Sequence, residues 1–252
     1  MWTICRKELG SYFSSPVAYL LLTMFGLIFG FFFWTALAEF VNQGMEMQMS
    51  GQSFPMNLNE WIIRPLLGNV AVVGLFFIPI ITMRLFAEEK RTGTIELLAT
   101  SPVTDLEIIL GKWLAAMILY TCLLLFTAIN FAFLFRYGNP DWKPLAIGYL
   151  GLLLQAGALL AIGTFISTLT RNQIVAGAAT FGVCLLLWVL AWVGGFESAT
   201  WARVLAYLSV ITHFESFSKG VLAVKDAVFY ITAIFLGLFF TARSMESLRW
   251  RS

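Results

Sequence analysis

Long uncharged apolar runs alternate along the chain with short segments that carry most of its ionisable residues. Runs close to the ~20 residues that a helix needs to cross a bilayer fall at Pro16–Ala38, Pro65–Phe86, Gly111–Phe135, Leu145–Leu169, Ile174–Val193 and Ala227–Ala242. Their apolar residues are continuous, not alternating, and several runs exceed the ~10 residues of a barrel strand, so the pattern predicts helices and argues against a water-filled β-barrel. The sixth run is short. Its 16 residues cover only ~24 Å at ~1.5 Å per residue, so it must recruit Val221–Val224 beyond Lys225 and Asp226 or thin the bilayer. The expected fold is an all-α integral membrane protein with six transmembrane helices, a single domain over residues 1–252.

The flanking segments add three further elements. Trp2, Cys5, Leu9, Tyr12 and Phe13 recur at helical spacing opposite Arg6, Lys7 and Glu8, which predicts an amphipathic helix over residues 1–15 lying in the membrane interface, or a plain anchor, before Pro16 turns the chain into the bilayer. Ala36-Leu37-Ala38 resembles a signal-peptidase site, but the 23-residue run before its end is longer than the ~7–15 residues of a signal peptide core, so the segment is expected to stay. Residues 194–226 are long enough for an outer or re-entrant helical segment, with a broken apolar stripe at Leu205, Leu208, Ile211 and Phe214.

Charge placement sets a direction. With the amino terminus inside, the inner segments hold Arg6, Lys7, Arg84, Lys90, Arg91, Lys112, Arg171, Arg243, Arg249 and Arg251; the outer ones hold Arg64, Arg136, Lys143, Arg203, Lys219 and Lys225. Ten against six favours both termini in the cytoplasm.

Composition narrows the function classes. Over 252 residues, 60% are hydrophobic and 12% charged, with a mean hydropathy of +0.84, too few charges to cover a soluble surface. A net charge of +2 with scattered basic residues gives no nucleic-acid footprint. Cys5, Cys122 and Cys184 share no ligand spacing, and the single histidine excludes a multi-histidine centre within this chain. No metal, cofactor or catalytic residue is therefore expected, and no internal repeat of the kind that builds inverted-repeat transporters is visible.

Inside the runs, Asn69, Thr82, Asn130, Gln155, Thr164, Ser167 and Thr180 are the polar exceptions; such groups face other helices or a wet cavity, so helix contacts and substrate contacts both stay open. Without buried carboxylates or a histidine relay, proton-coupled transport has no evident machinery. Gly26 and Gly30 form a G-x-x-x-G pair and Gly177 and Gly182 slim the fifth run, a pattern that permits close helix packing. Met45, Met47, Met49 and Met56 are soft copper(I)-type ligands, but their loop lacks a cysteine or histidine to complete a site. His213, Glu215 and Lys219 do not share one helical face, which argues against a triad.

The segment between the second and third runs, MRLFAEEKRTGTIELLATSPVTDLEIILGKW, is the most charged part of the chain. Gly93 is expected to start a short helix through Thr94–Ala99, ended by Pro102, and Thr104 with Glu107 to form a capping box at the root of the third span. A two-turn helix presenting Ile95, Leu97 and Leu98 among Glu88, Glu89, Lys90, Arg91 and Glu96 is marginal in water, so packing against its own bundle or docking into a partner must stabilise it. The alternative is an ordinary solvated connection.

The run FAEEKRTGTIELLATSPVTDLEIILGKW resembles the cytoplasmic coupling segment of type-2 ABC exporter permeases, particularly the gliding-motility permeases and their relatives. RKELGSYFSSP, STLTRNQIVAG and LSVITHFESFSKGV follow the same family in the same order. The resemblance implies a permease subunit in the bacterial plasma membrane. It also implies a cytoplasmic ABC ATPase pair carrying ATP and Mg, a second permease copy or related permease, and a candidate additional envelope subunit as partners. By motif, Glu88, Glu89, Arg91, Gly93, Thr94, Glu96, Leu97 and Leu98 would contact the ATPase. Asn69, Thr82, Gln155 and Thr180 become candidate pathway or helix contacts, Gly26 and Gly30 a candidate dimer seam, and residues 194–226 an external gate. Consistent with a separate ATPase, the chain has no G-x-x-x-x-G-K-[ST] phosphate loop; Gly111-Lys112 is followed by Trp113. Export is the expected direction. The rival reading is an accessory module that passes ATPase-driven motion to an envelope or motility machine without releasing cargo.

Overall fold

Apolar runs of this length leave the backbone one economical solution in lipid, the helix, which satisfies every N–H and C=O internally. The computed structural model describes residues 1–50, 57–94, 103–193 and 200–249, and every regular element among them is helical. In chain order these are α1 (Trp2–Ser14), α2 (Pro16–Ser50), a single π-helical turn (Asn59–Ile63) continuing into α3 (Arg64–Thr82), α4 (Ala87–Thr92), α5 (Asp105–Tyr137), α6 (Trp142–Leu169), α7 (Gln173–Val193), α8 (Thr200–Tyr207), α9 (Val210–Ser218) and α10 (Val224–Arg249). Six of them, α2, α3, α5, α6, α7 and α10, are long and apolar enough to cross a membrane.

Most of these helices outrun the apolar runs, whereas α3 ends at Thr82, short of the expected Phe86. α2 continues to Ser50, ~52 Å at ~1.5 Å per residue, so Met45, Met47 and Met49 ride on a helix and not on a loop. The sixth span is 26 residues long, from Val224 to Arg249, and needs no thinned bilayer. It recruits Val224 beyond Lys225 and Asp226, one of the two expected solutions, and Asp226 is in contact with His213 at 2.7 Å. α5 starts at Asp105 through the expected capping box, with Glu107 N donating to Thr104 Oγ1 at 3.4 Å and Thr104 N to Glu107 Oε2 at 3.3 Å.

The bundle is assembled around α6, which packs on α3, α5, α7, α9 and α10. Lipid supplies no hydrophobic drive between helices, so close backbone approach must. A Cβ on Gly163 of α6 would lie 2.5 Å from Thr82 Oγ1 of α3, and one on Gly237 of α10 would lie 2.8 Å from the Ala161 carbonyl carbon. The G-x-x-x-G pair of α2 is not used in this way: beside Gly26 lies only the edge of Phe126, at 3.5 Å, and beside Gly30 nothing within 4 Å. The outward faces of α2 and α7 are apolar, with Tyr19, Leu27, Phe31 and Trp34 on one and Leu186 and Trp192 on the other.

Two ends result. The terminal face carries α1, α4, the turn at 170–172 and the end of α10, where Thr168 Oγ1 donates to Ser244 Oγ at 2.8 Å. The far face carries the π-turn, the turn at 138–141, α8 and α9. Two side chain to main chain bonds tie its first two parts, Asn59 Nδ2 to Asp141 O at 3.4 Å and Asp141 N to Asn59 Oδ1 at 3.1 Å.

Candidate functional site

α1 is amphipathic as expected, but its inward stripe is set by the bundle and not by lipid alone. Cys5 and Tyr12 are fully covered, while Trp2 and Phe13 stay exposed. α1 lies directly on α5, where a Cβ on Gly111 would be 2.9 Å from Met1 O. Glu8, expected on the solvated side, instead turns inward. The reason is Lys112.

Lys112 is 1% exposed and stands two turns into α5. Its ammonium has three N–H groups and meets three acceptors: Glu8 Oε1 of α1 at 2.8 Å, Glu89 Oε1 of α4 at 2.8 Å, and the carbonyl of Leu85 in the turn after α3 at 2.7 Å. The Phe86 ring covers it at 5.1 Å. A buried ammonium requires such saturation, because an unpaired charge there is strongly destabilising. Lys7, more exposed, approaches Glu89 Oε1 at 3.8 Å and offsets the second carboxylate. Glu89 Oε2 is buried with no hydrogen-bond partner.

A second set of bonds holds the same junction from other helices. Tyr12 donates to the Ile81 carbonyl at 2.8 Å, and the Arg84 guanidinium sits 5.4 Å from the Tyr12 ring while pairing with Glu88 at 3.3 Å. Burial pushes the Tyr12 phenol and the Cys5 thiol up, with the Glu8 carboxylate adding to both, so each stays protonated. Ser167 of α6 accepts from the amides of Phe86 and Ala87, both at 3.1 Å, and donates to the Met83 carbonyl at 3.3 Å. It thereby satisfies the two amides left free where the chain turns from α3 into α4. Lys90 donates to the Thr168 carbonyl. α4 is therefore fastened to α1, α3, α5 and α6.

The expected contact residues divide at this point. Glu89 faces inward to Lys112, whereas Glu88, Arg91, Gly93 and Thr94 lie half-buried or exposed along the outside. Gly93 caps the end of α4. It follows α4 with a left-handed φ of 75°, and because nothing lies within 4 Å of a would-be Cβ, the backbone conformation is what calls for glycine. Thr92 Oγ1 and Thr94 Oγ1, on either side of it, are 3.0 Å apart. Ile95, Glu96, Leu97 and Leu98, with the short helix expected there, fall outside the described residues.

In the spans, Thr82, Thr164 and Thr180 donate to the carbonyls of Ile78, Leu160 and Ala176 on their own helices, a local pattern that uses the one O–H donor of each. Gln155 Nε2 crosses from α6 to the Ala71 carbonyl of α3 at 3.2 Å. Its Oε1 is buried without a hydrogen-bond partner. Asn69 and Asn130 are half-buried, and Asn130 lines an open cleft of about 340 Å³ between α2 and α5 with Thr23, Gly26 and Phe126. On the far face, one expectation is overturned: Asp226 is a buried carboxylate, held by the only histidine of the chain.

Sequence reasoning missed the roles of Lys112, Glu8 and Asp226, whereas Ser167, named as a polar exception, does face another helix. The signal for Lys112 was present, a lysine set between IILG and WLAAM, because a cation embedded in an apolar run must find anions.

Comparison with known proteins agrees with this architecture. A family described as "ABC-2 family transporter protein" matches residues 2–242. The chain is 28% identical over 171 residues to "Probable multidrug ABC transporter permease YbhR" of Escherichia coli (strain K12), covering 67% of this chain and 45% of that protein. It matches the protein of the same description from Escherichia coli O157:H7 equally. The alignment thus takes in about half the length of these curated relatives. With the family match running through all six membrane helices, the chain belongs to the ABC-2 family of transporter proteins.

Proposed function

We propose that the chain is the membrane permease subunit of an ATP-driven exporter, docked through α4 and residues 93–98 onto a separate cytoplasmic ATP-binding subunit pair that holds ATP and Mg. The observation that carries this reading is the Lys112 cluster. Through one buried ammonium it joins α4 to the interfacial helix and to the roots of two membrane helices. A push delivered at α4 therefore moves several helices as one body, which is what coupling by rigid-body rotation needs. Glu88, Arg91, Gly93, Thr94, Glu96, Leu97 and Leu98 make the outward contact, and Glu89 holds them in place from within.

The terminal face lies in the cytoplasm of a bacterial plasma membrane, following the basic-residue bias. A second permease copy or a related permease covers the outward face of α2, where Gly26 and Gly30 leave room for a close helix. Asn69, Thr82, Gln155 and Thr180 act chiefly as helix contacts, and the segment from α8 to α9 caps the pathway outside. The description of the relatives makes apolar drug-like molecules the first cargo to try.

The test is reconstitution in liposomes with the ATP-binding subunit. Stable copurification, hydrolysis and cargo flux support the reading, with Glu96→Lys or Gly93→Trp abolishing coupling while insertion persists. Unchanged copurification and hydrolysis in both variants would remove the docking assignment. Sustained hydrolysis with no flux of any candidate would favour an accessory module of an envelope or motility machine.

A further inference from the structure

The far face contains a proton-holding pair that the docking argument does not use. His213 of α9 and Asp226 at the start of α10 have side chains 4% and 2% exposed. Both ring nitrogens of His213 face oxygen: Nε2 lies 2.8 Å from the Tyr207 carbonyl and Nδ1 lies 2.7 Å from Asp226 Oδ1. A carbonyl only accepts, so Nε2 must carry a hydrogen. The second contact then needs a proton of its own, on Nδ1 as an imidazolium or on Oδ1 as a carboxylic acid. Without it two lone pairs would oppose each other at hydrogen-bonding distance, and the pair would hold a net negative charge in a buried site where Asp226 Oδ2 has no hydrogen-bond partner.

We propose that His213 and Asp226 form a proton-binding site whose occupation latches the α8–α9 segment onto the last membrane helix. With the proton bound, the pair is neutral overall and both contacts are made. When the proton leaves to water, the Nδ1 contact turns repulsive. One other side-chain hydrogen bond is present between α9 and α10, from Tyr230 Oη to the Val210 carbonyl at 2.7 Å.

The surroundings single out this pair. Phe229 stacks on the imidazole at 3.9 Å, and the rings of Tyr207 and Tyr230 stand edge-on at 4.8 and 6.4 Å. Tyr207 and Tyr230 are the titratable side chains that face it. The charged residues of the packed elements lie at the surface: Glu215 of α9 pairs with Lys219 just after it at 3.7 Å, and Arg64 of α3, Arg203 of α8, Lys225 of α10 and Lys143 of α6 are exposed. An open cleft lined by Arg203, Val204, Tyr207 and Leu208 reaches Tyr207, whose ring stands against His213.

The site requires no ATPase, so its test is independent of the exporter reading. In the full chain reconstituted in liposomes, the single histidine labelled with ¹⁵N reports its own protonation. A cysteine at Val210, a buried residue in the α9–α10 seam, reports opening through a membrane-impermeant thiol reagent. Rates are measured in a chain without its three native cysteines and are taken relative to the same cysteine in the unfolded chain at the same pH, because the thiolate is the species that reacts. On that relative scale, labelling of Val210→Cys should rise about tenfold or more when the ¹⁵N signal reports loss of the proton, the scale expected for losing one charge-assisted hydrogen bond.

Asp226→Asn separates proton binding from mere structure. Its amide N–H donates to neutral Nδ1 while Nε2–H still serves Tyr207, so labelling should be slow at every pH. Wild-type labelling that stays flat while the imidazole changes state, or Asp226→Asn labelling that still rises with pH, would overturn the proposal.

Discussion

Lys112 Nζ and Glu89 Oε1 meet at 2.8 Å, joining the root of α5 to the short helix that leads into the proposed ATPase contact. The residue expected to reach outward to a partner is turned inward, and a lysine of the next span holds it there. α4 is thus fastened from inside the bundle.

Removing that ammonium should leave the half-buried carboxylates of Glu8 and Glu89 without their shared partner, with Lys7 near Glu89 at 3.8 Å. Lys112→Met is expected to destabilise the fold by about 3–5 kcal/mol, as for breaking a buried ion pair. The triple variant Lys112→Met/Glu8→Gln/Glu89→Gln should recover part of the loss, because no charge is then stranded. Thermal unfolding in detergent reads both; equal losses in the single and triple variants would count against the pairing.

The left-handed backbone at Gly93 predicts a different pattern. Gly93→Ala should cost roughly 1–2 kcal/mol through backbone strain alone, Gly93→Asn less and Gly93→Val more, since a Cβ meets no neighbour within 4 Å. A helical circular-dichroism signal that stays native while ATPase copurification follows this order would place the effect at the α4 terminus.

Gly237→Ala should fail for steric reasons. Its Cβ would sit 2.8 Å from the Ala161 carbonyl carbon, an atom that cannot rotate away, so a loss on the order of 1–3 kcal/mol is expected. Gly30→Ala, with nothing within 4 Å, should leave monomer stability unchanged and disturb self-association instead. Thermal unfolding alongside an oligomer-state measurement distinguishes the two.

Cys5 carries a pH prediction. Its thiol is raised by burial first and by the Glu8 carboxylate second, so the folded state holds that proton more tightly than the unfolded chain. Stability attached to this group is present below the ordinary thiol range and declines as pH rises through it. In a variant with Cys122 and Cys184 replaced by serine, the alkylation rate of Cys5 should climb at higher pH than in the unfolded chain; coincident profiles would refute the assignment.

Much of the fold was legible because lipid leaves so few options: six apolar runs gave six spans, and Thr104 with Glu107 announced the start of α5. The ends were not legible, because hydropathy marks where lipid stops and not where hydrogen bonding stops. α2 runs on to Ser50, and α10 starts at Val224 and takes in Asp226, whose carboxyl group is bonded to His213 of another helix. Glu8 was misplaced for a similar reason. Its helical spacing puts it on a polar face, and only the position of Lys112, 104 residues away, decides that this face turns inward. Gly26 and Gly30 stood out by motif, whereas the glycines that pack closely within the chain, Gly163 and Gly237, have no motif and are recognised by what lies opposite them.

The most direct test of the coupling account is photocrosslinking from single sites in the complex reconstituted with its ATP-binding subunit. Photoreactive residues at positions 91 and 97 should form adducts with that subunit, and one at position 30 should form adducts with another permease chain. Active complexes that give ATPase adducts from neither 91 nor 97 would contradict the claim that α4 and the residues after it receive the work of ATP hydrolysis.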